Sequence, residues 1–182
     1  MEIMSEQQHE IKTNAKHNAL NIAKYLLSLD KNREYFDNKK TENEINLSSV
    51  IRGNFRLNQI LYLLQILYYL EHKELLFEDN LYAWEHGVVV YSVYTHFWSL
   101  YHDINGKSIK EIEDEETKKF IDSCFKYLKN IPDSVLQEFS YDDPARSSTW
   151  AKSPQPNIHF TDKENLEFYQ RFRSRWLQEI RL

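Results

Sequence analysis

Between Leu57 and His72 the apolar residues do not keep to one side of a helix. Leu57, Ile60, Leu61, Leu64, Leu67, Tyr68 and Leu70 form one stripe, and Leu63 and Ile66 fill the other side. A helix apolar nearly all round must be enclosed by protein, so this segment is the expected centre of the fold. Asn58 and Gln65 interrupt the run, and Leu57 to Leu70 is too short to cross a bilayer. The 182 residues suffice to wrap such a helix, since a chain of this size buries about 70% of its unfolded surface. With 3 Gly and 4 Pro there is little turn chemistry for a β-sandwich or barrel. The expected architecture is therefore mostly α: a compact single-domain helical bundle around a buried central helix, with a short β-hairpin or extended arm.

The flanking segments follow from the same periodicity. Ala15, Ala19, Ile22, Ala23, Leu26 and Leu27 share one face of a helix expected over about Asn14 to Leu29, after a tail at 1–13. Residues 30–56 carry a polar stretch around Asp37 to Glu44 without periodicity, which reads as an exposed loop or insertion. Leu75-Leu76-Phe77 and Leu81-Tyr82-Ala83-Trp84 flank the turn-like Glu78-Asp79-Asn80, suggesting a hairpin or arm closed by Gly87. Helical spacing resumes with Val89, Val93, Tyr94, Phe97, Trp98 and Tyr101. The acidic run Glu111 to Glu116 precedes a helix whose inward stripe is Phe120, Ile121, Cys124, Phe125 and Leu128, where the macrodipole favours anions. Pro132-Asp133-Ser134 opens a helix through Phe139, Asp142-Asp143-Pro144 opens another towards Trp150, and Ser153 to Pro156 is a break. Thr161 and Glu164 read as a capping box for a C-terminal helix within 161–182 that turns Leu166, Tyr169, Phe172, Trp176, Leu177 and Ile180 inward.

Charge and cysteine content narrow the function. A net charge of -5 argues against nucleic-acid contact, which requires a cationic surface. The single Cys124 excludes an intrachain disulfide framework and a cysteine-built zinc site. The N-terminus, Met1 to His9, is polar and acidic where a signal peptide is basic and then apolar, so a cytoplasmic protein is expected.

The search for chemistry returns little. Gly106-Lys107-Ser108 lacks the glycine five residues earlier that a phosphate-binding loop needs, since Tyr101 stands there. His96 and His102 are six residues apart and do not share a helical face, so His72, His86, His96 and His102 do not read as a metal site. Cys124 lies on an inward stripe, where a thiol is an inert hydrophobe. Arg171, Arg173 and Arg175 interleave with Phe172 and Trp176, yet cations near a helix C-terminus need no partner. No catalytic residue, cofactor or metal ligand is assigned. The 12 Tyr and 4 Trp point instead to protein binding, where an aromatic body anchors and a polar tip bonds.

Two blocks carry a resemblance. Arg56-Leu57-Asn58-Gln59-Ile60-Leu61-Tyr62-Leu63-Leu64-Gln65, then Leu76-Phe77 and Ala83-Trp84-Glu85-His86-Gly87-Val88-Val89-Val90-Tyr91-Ser92-Val93-Tyr94, resemble the Panacea domain of SocA-like antitoxins and phage-associated GepA-like proteins. Asp114 to Thr117 and Asp143-Pro144 to Trp150 resemble later elements, so the resemblance spans about 14–160. Departures are Gly87-Val88-Val89 in place of the family's Gly-Pro-Val, Gln59 in place of a basic residue, and Tyr141 in place of a histidine. The resemblance implies a helical domain that neutralises a cognate toxin by direct binding, in some members as an adaptor to a Clp-type protease. An alternative reading is a phage or mobile-element inhibitor of a host defence protein, with the acidic run as a nucleic-acid mimic. Mapped onto the family motif, Trp84, Gly87 and Tyr94 are the expected partner contacts, and Tyr62 and Gln65 their structural support.

Overall fold

The computed structural model describes residues 15–36, 52–102, 110–147, 158 and 160–178. At its centre α2 (Arg52–His72) buries every residue from Gly53 to Leu67. Around it lie α1 (Ala19–Leu29), an antiparallel hairpin of β1 (Leu81–Trp84) and β2 (Gly87–Val90), α3 (Tyr91–His102), α4 (Glu115–Leu128), α5 (Asp133–Asp142) and α6 (Lys163–Trp176). α1 packs on α3, and α2 is enclosed by α1, α3, α4, α5 and β2. The mostly helical fold with its hairpin is the one expected. No helix among the described residues is long and apolar enough to cross a membrane.

Several boundaries differ from the sequence reading, each for a physical reason. α1 starts at Ala19, because Asn18 and Asn21 exchange side-chain and backbone hydrogen bonds in a reciprocal cap. The expected loop over 30–56 is folded at both described ends. Asp30 gathers the backbone N–H groups of Glu34, Tyr35 and Phe36, and Phe36 is buried with its ring stacked on Phe125 at 5.8 Å. At the other end 52–56 are the first residues of α2; 37–51 lie outside the described residues.

The hairpin turn is Glu85-His86, with Trp84 paired to Gly87 and Leu81 to Val90, so Val88 and Val89 belong to a strand. Glu78 and Asp79, expected to form that turn, instead receive the N-terminus of α1. Ala15 N donates to Glu78 Oε1 and Ala19 N to Asp79 Oδ2, while Ser92 Oγ donates to Asp79 Oδ1. Asp79 thereby joins the first turns of α1 and α3.

α4 and α5 begin where expected: Asp114 caps α4 by accepting from Glu116 N, and Asp133 starts α5 after Pro132. A helical turn at 144–147 follows, and Trp150 and 153–156 lie outside the described residues. The capping box at Thr161 is not formed, because α6 starts one residue later, with Asp162 at the cap position and no side-chain cap bond. Tyr169 and Leu177 turn inward, but Trp176 is exposed; Ile180 lies outside the described residues.

Arg52 and Arg56 make the start of α2 look polar in sequence, and they are consumed inside the fold. Arg56 donates to the carbonyls of Lys129 at 2.6 Å and Ile131 at 2.8 Å, and to Asp133 Oδ1 at 2.7 Å. Arg52 Nε reaches Asp133 Oδ2 at 2.6 Å. One guanidinium thus satisfies the carbonyls that α4 leaves at its end and pairs with the carboxylate that opens α5. Removing one partner of a buried ion pair strands the other. Arg56→Met is therefore expected to lower unfolding free energy by about 3 kcal/mol, read from urea denaturation.

Candidate functional site

In an antiparallel pair every second residue turns its backbone groups away from its partner strand. On β2 these groups are met by amide side chains of α2. Gln59 Nε2 donates to the Val88 carbonyl at 3.1 Å, and Val90 N donates to Asn58 Oδ1 at 2.9 Å. Gln65, one turn and a half further on, accepts from Leu76 N and Phe77 N and donates to the Phe77 carbonyl. Ser140 Oγ of α5 donates to Gln59 Oε1 at 2.8 Å, which closes the group from the other side.

Gly87 sits directly over this junction. Its φ of +143° is one that L side chains rarely adopt, and a Cβ there would lie 2.5 Å from Gln59 Nε2 and 2.9 Å from Ser140 Oγ. Tyr62, Gln65 and Gly87 are thus interior, and position 87 has no room for a side chain.

The outward side of the hairpin carries the aromatic residues. Along β1, Leu81 and Ala83 point in while Tyr82 and Trp84 are half-buried. Because α3 follows β2 without a loop, its first turn places Tyr91 and Tyr94 beside them. The Trp84 and Tyr94 rings meet edge to face with centroids 4.9 Å apart; Tyr91 lies 6.4 Å from Trp84 and 6.0 Å from Tyr82. Tyr91 is 53% exposed and Tyr94 39%.

The structure brings Trp84 and Tyr94 together and places beside them Tyr82 and Tyr91, which were not among the sequence candidates. The alternation of 82 with 84 and the three-residue step from 91 to 94 are the signals that find them. The patch is held from beneath: Arg146 Nη1 donates to the carbonyls of Trp84 and Glu85, and Asn54 Nδ2 to that of Tyr94. The side chains of Trp98 and Tyr101 lie outside the described residues.

Tyr62 belongs to a second, wholly buried group. Its hydroxyl lies 2.6 Å from that of Tyr169 on α6, and Tyr169 in turn donates to Asp143 Oδ1 at 2.7 Å. Ala145 N also donates to Oδ1, whereas Asp143 Oδ2 has no hydrogen-bond partner among the described residues. Burial pushes the Asp143 carboxyl up to about 6, against the hydrogen bonds that favour its charge. Both tyrosines are raised, first by burial and then by the neighbouring carboxylate.

Cys124 and the acidic run have structural roles. Cys124 is fully buried, and burial pushes its thiol up to about 12. Within the acidic run, Asp114 accepts from Glu116 N and Thr117 Oγ1, and Glu115 pairs with Lys118 at 3.0 Å. Among the described residues no three His, Cys, Asp or Glu side chains group as metal ligands. Positions 106–108 lie outside the described residues.

Compared with known families, residues 57–146 match the model described as antitoxin SocA-like, Panacea domain. The match takes in α2 from Leu57 onward, the hairpin, α3, α4 and α5, and stops short of α1 and α6. No curated protein and no solved structure matches the chain.

Two outcomes test the geometry. Gly87→Ala forces both strain and a clash, and is expected to cost about 1–3 kcal/mol in urea denaturation. Asp143 binds its proton more tightly folded, with the carboxyl at about 6, than unfolded near 3.9. Its stabilising contribution is then full below about pH 4 and lost as pH rises through 6. Between pH 5 and 7.5 the stability of the native chain relative to Asp143→Asn should fall by about 1 kcal/mol, read from paired urea titrations.

Proposed function

We propose that this chain, whose residues 57–146 match the antitoxin SocA-like, Panacea-domain family model, neutralises a toxin protein by binding it directly through the hairpin and the first turn of α3. The ring cluster carries the reading. Trp84 is half-buried, Tyr91 and Tyr94 are exposed, and Tyr82 extends the patch, all within the segment that the family model matches. Tyr and Trp dominate binding energy at protein interfaces, because a large rigid ring is desolvated at small entropic cost.

The support beneath the rings fits the same role. Gln59, Asn58 and Arg146 fix the hairpin backbone, so less ordering is needed when a partner docks. Neutralisation by this route needs no chemical step. The chain acts as a cytoplasmic binding protein rather than an enzyme, and its target is a toxin made by the same cell.

Cells expressing the neighbouring open reading frame alone are expected to stop growing, and to recover when this chain is made with it. Tyr91→Ala combined with Tyr94→Ala should keep the thermal midpoint of the native chain and lose the rescue. Each substitution alone should weaken the complex by about 30-fold, equivalent to about 2 kcal/mol, in a titration with the purified toxin. Full rescue by the double variant would remove this face as the site. A harmless neighbouring product would remove the antitoxin reading itself.

A further inference from the structure

Elsewhere among the described residues, the exposed aromatic rings are covered by the chain's own cations. Tyr141 lies under the Arg146 guanidinium at 5.7 Å and Trp176 under that of Arg175 at 5.1 Å. Lysines stand over the half-buried rings of Tyr35, Tyr69 and Tyr127 at 5.4–5.9 Å. Tyr82, Trp84, Tyr91 and Tyr94 have no such cation among the described residues.

The sequence explains the difference. From Glu74 to Gly106 there is no Lys or Arg, while Glu74, Glu78, Asp79, Glu85 and Asp103 all fall in that stretch. Glu85, directly after Trp84 at the hairpin tip, has a side chain 74% exposed, with His86 at 4.0 Å its one ion-pair partner among the described residues. The cation that does reach the hairpin, Arg146, is 7% exposed and spends Nη1 on the Trp84 and Glu85 carbonyls, behind the rings. The patch is thus an aromatic surface whose Trp84 is followed directly by the exposed Glu85 carboxylate. Ring faces carry negative potential and attract a desolvated ammonium or guanidinium, Trp most strongly.

We infer that the partner seats a cationic side chain, arginine by preference, against the Trp84 and Tyr94 rings next to Glu85. This rests on the reading of the hairpin and α3 as the toxin-binding face and specifies the chemistry of what docks there. Arginine is favoured over lysine because its planar, weakly hydrated guanidinium stacks on a ring while its N–H groups still reach a carboxylate. Charge complementarity of this kind sets register and speeds encounter as well as adding affinity.

The test titrates the full chain with Nα-acetyl-L-arginine amide, and with Nα-acetyl-L-citrulline amide as its uncharged isostere, following the Trp84 indole N–H by NMR. Saturable shifts at Trp84 are expected with arginine amide, and binding about threefold or more weaker with citrulline amide. Glu85→Lys, a change at an exposed position, should abolish the preference without altering the thermal midpoint. Tyr94→Leu should abolish it too, since leucine keeps an apolar side chain but has no ring face. Equal shifts for the two amides, or none at Trp84, would overturn the inference. The toxin titration with Tyr91→Ala and Tyr94→Ala reports separately on the underlying site. Loss of toxin binding without an arginine preference leaves a docking face that takes an apolar group. Retained toxin binding removes the face as toxin site and the inference with it.

Discussion

A primary amide buried in an apolar core must satisfy an oxygen and a nitrogen at once, and no apolar neighbour can do either. Placing Asn58, Gln59 and Gln65 on a helix enclosed on all sides therefore obliges the surrounding chain to present backbone groups at fixed points. Those points are the outer edge of β2 and the extended segment at Leu76-Phe77. A two-stranded hairpin is marginal by itself in water. Here α2 stands in for a third strand on one side, and the Ile158 N–H bonded to the Leu81 carbonyl at 2.9 Å occupies the other edge. Gly87 is fixed by the same arrangement, since the Gln59 amide lies where its Cβ would be. The aromatic face on the far side of the hairpin depends on this anchoring.

The central helix was legible because enclosure is written in its composition, and the stripes of α4 and of α1 were legible from their period. The elements that were missed involve polar groups whose partners are remote in sequence. Arg52 and Arg56 look like solvent-facing residues until Asp133 and the end of α4 close on them. Glu78 and Asp79 look like a turn until α1 delivers its N–H groups to them. Residues 88–90 lie between a glycine and a helix, and nothing local tells a strand from a first helical turn there. Pairing with Leu81 to Ala83 decides it.

The candidate site was half legible for a related reason. Trp84 and Tyr94 stood out through the family motif, and the structure places them in contact. Tyr82 and Tyr91 are ordinary strand and helix residues until the hairpin turn is set at Glu85-His86. Only then does alternation put Tyr82 on the outer face and bring Tyr91 over it. Gly87 also stood out through the family motif, and the structure places it where it leaves room for the Gln59 amide.

Tyr62 and Asp143 lie inside the segment matched by the family model, and Tyr169, whose hydroxyl joins them, lies outside it on α6. The three oxygens are buried together, so each depends on the others for satisfaction. Without Tyr169, the Tyr62 hydroxyl and Asp143 Oδ1 would lose their common partner in a region closed to water. Among the described residues Oδ2 has no hydrogen bond even now. α6 is therefore joined to the domain by a polar contact whose loss leaves unpaired groups behind, in addition to the apolar packing of Phe168 and Phe172 on Phe139. Such a contact specifies position more sharply than area alone, because an oxygen displaced by an ångström loses its bond while a displaced methyl group keeps most of its contact. The turn at 144–147 that begins at Asp143 also carries Arg146 to the hairpin carbonyls. The seating of α6 and the support of the aromatic face thus converge on the same four-residue turn.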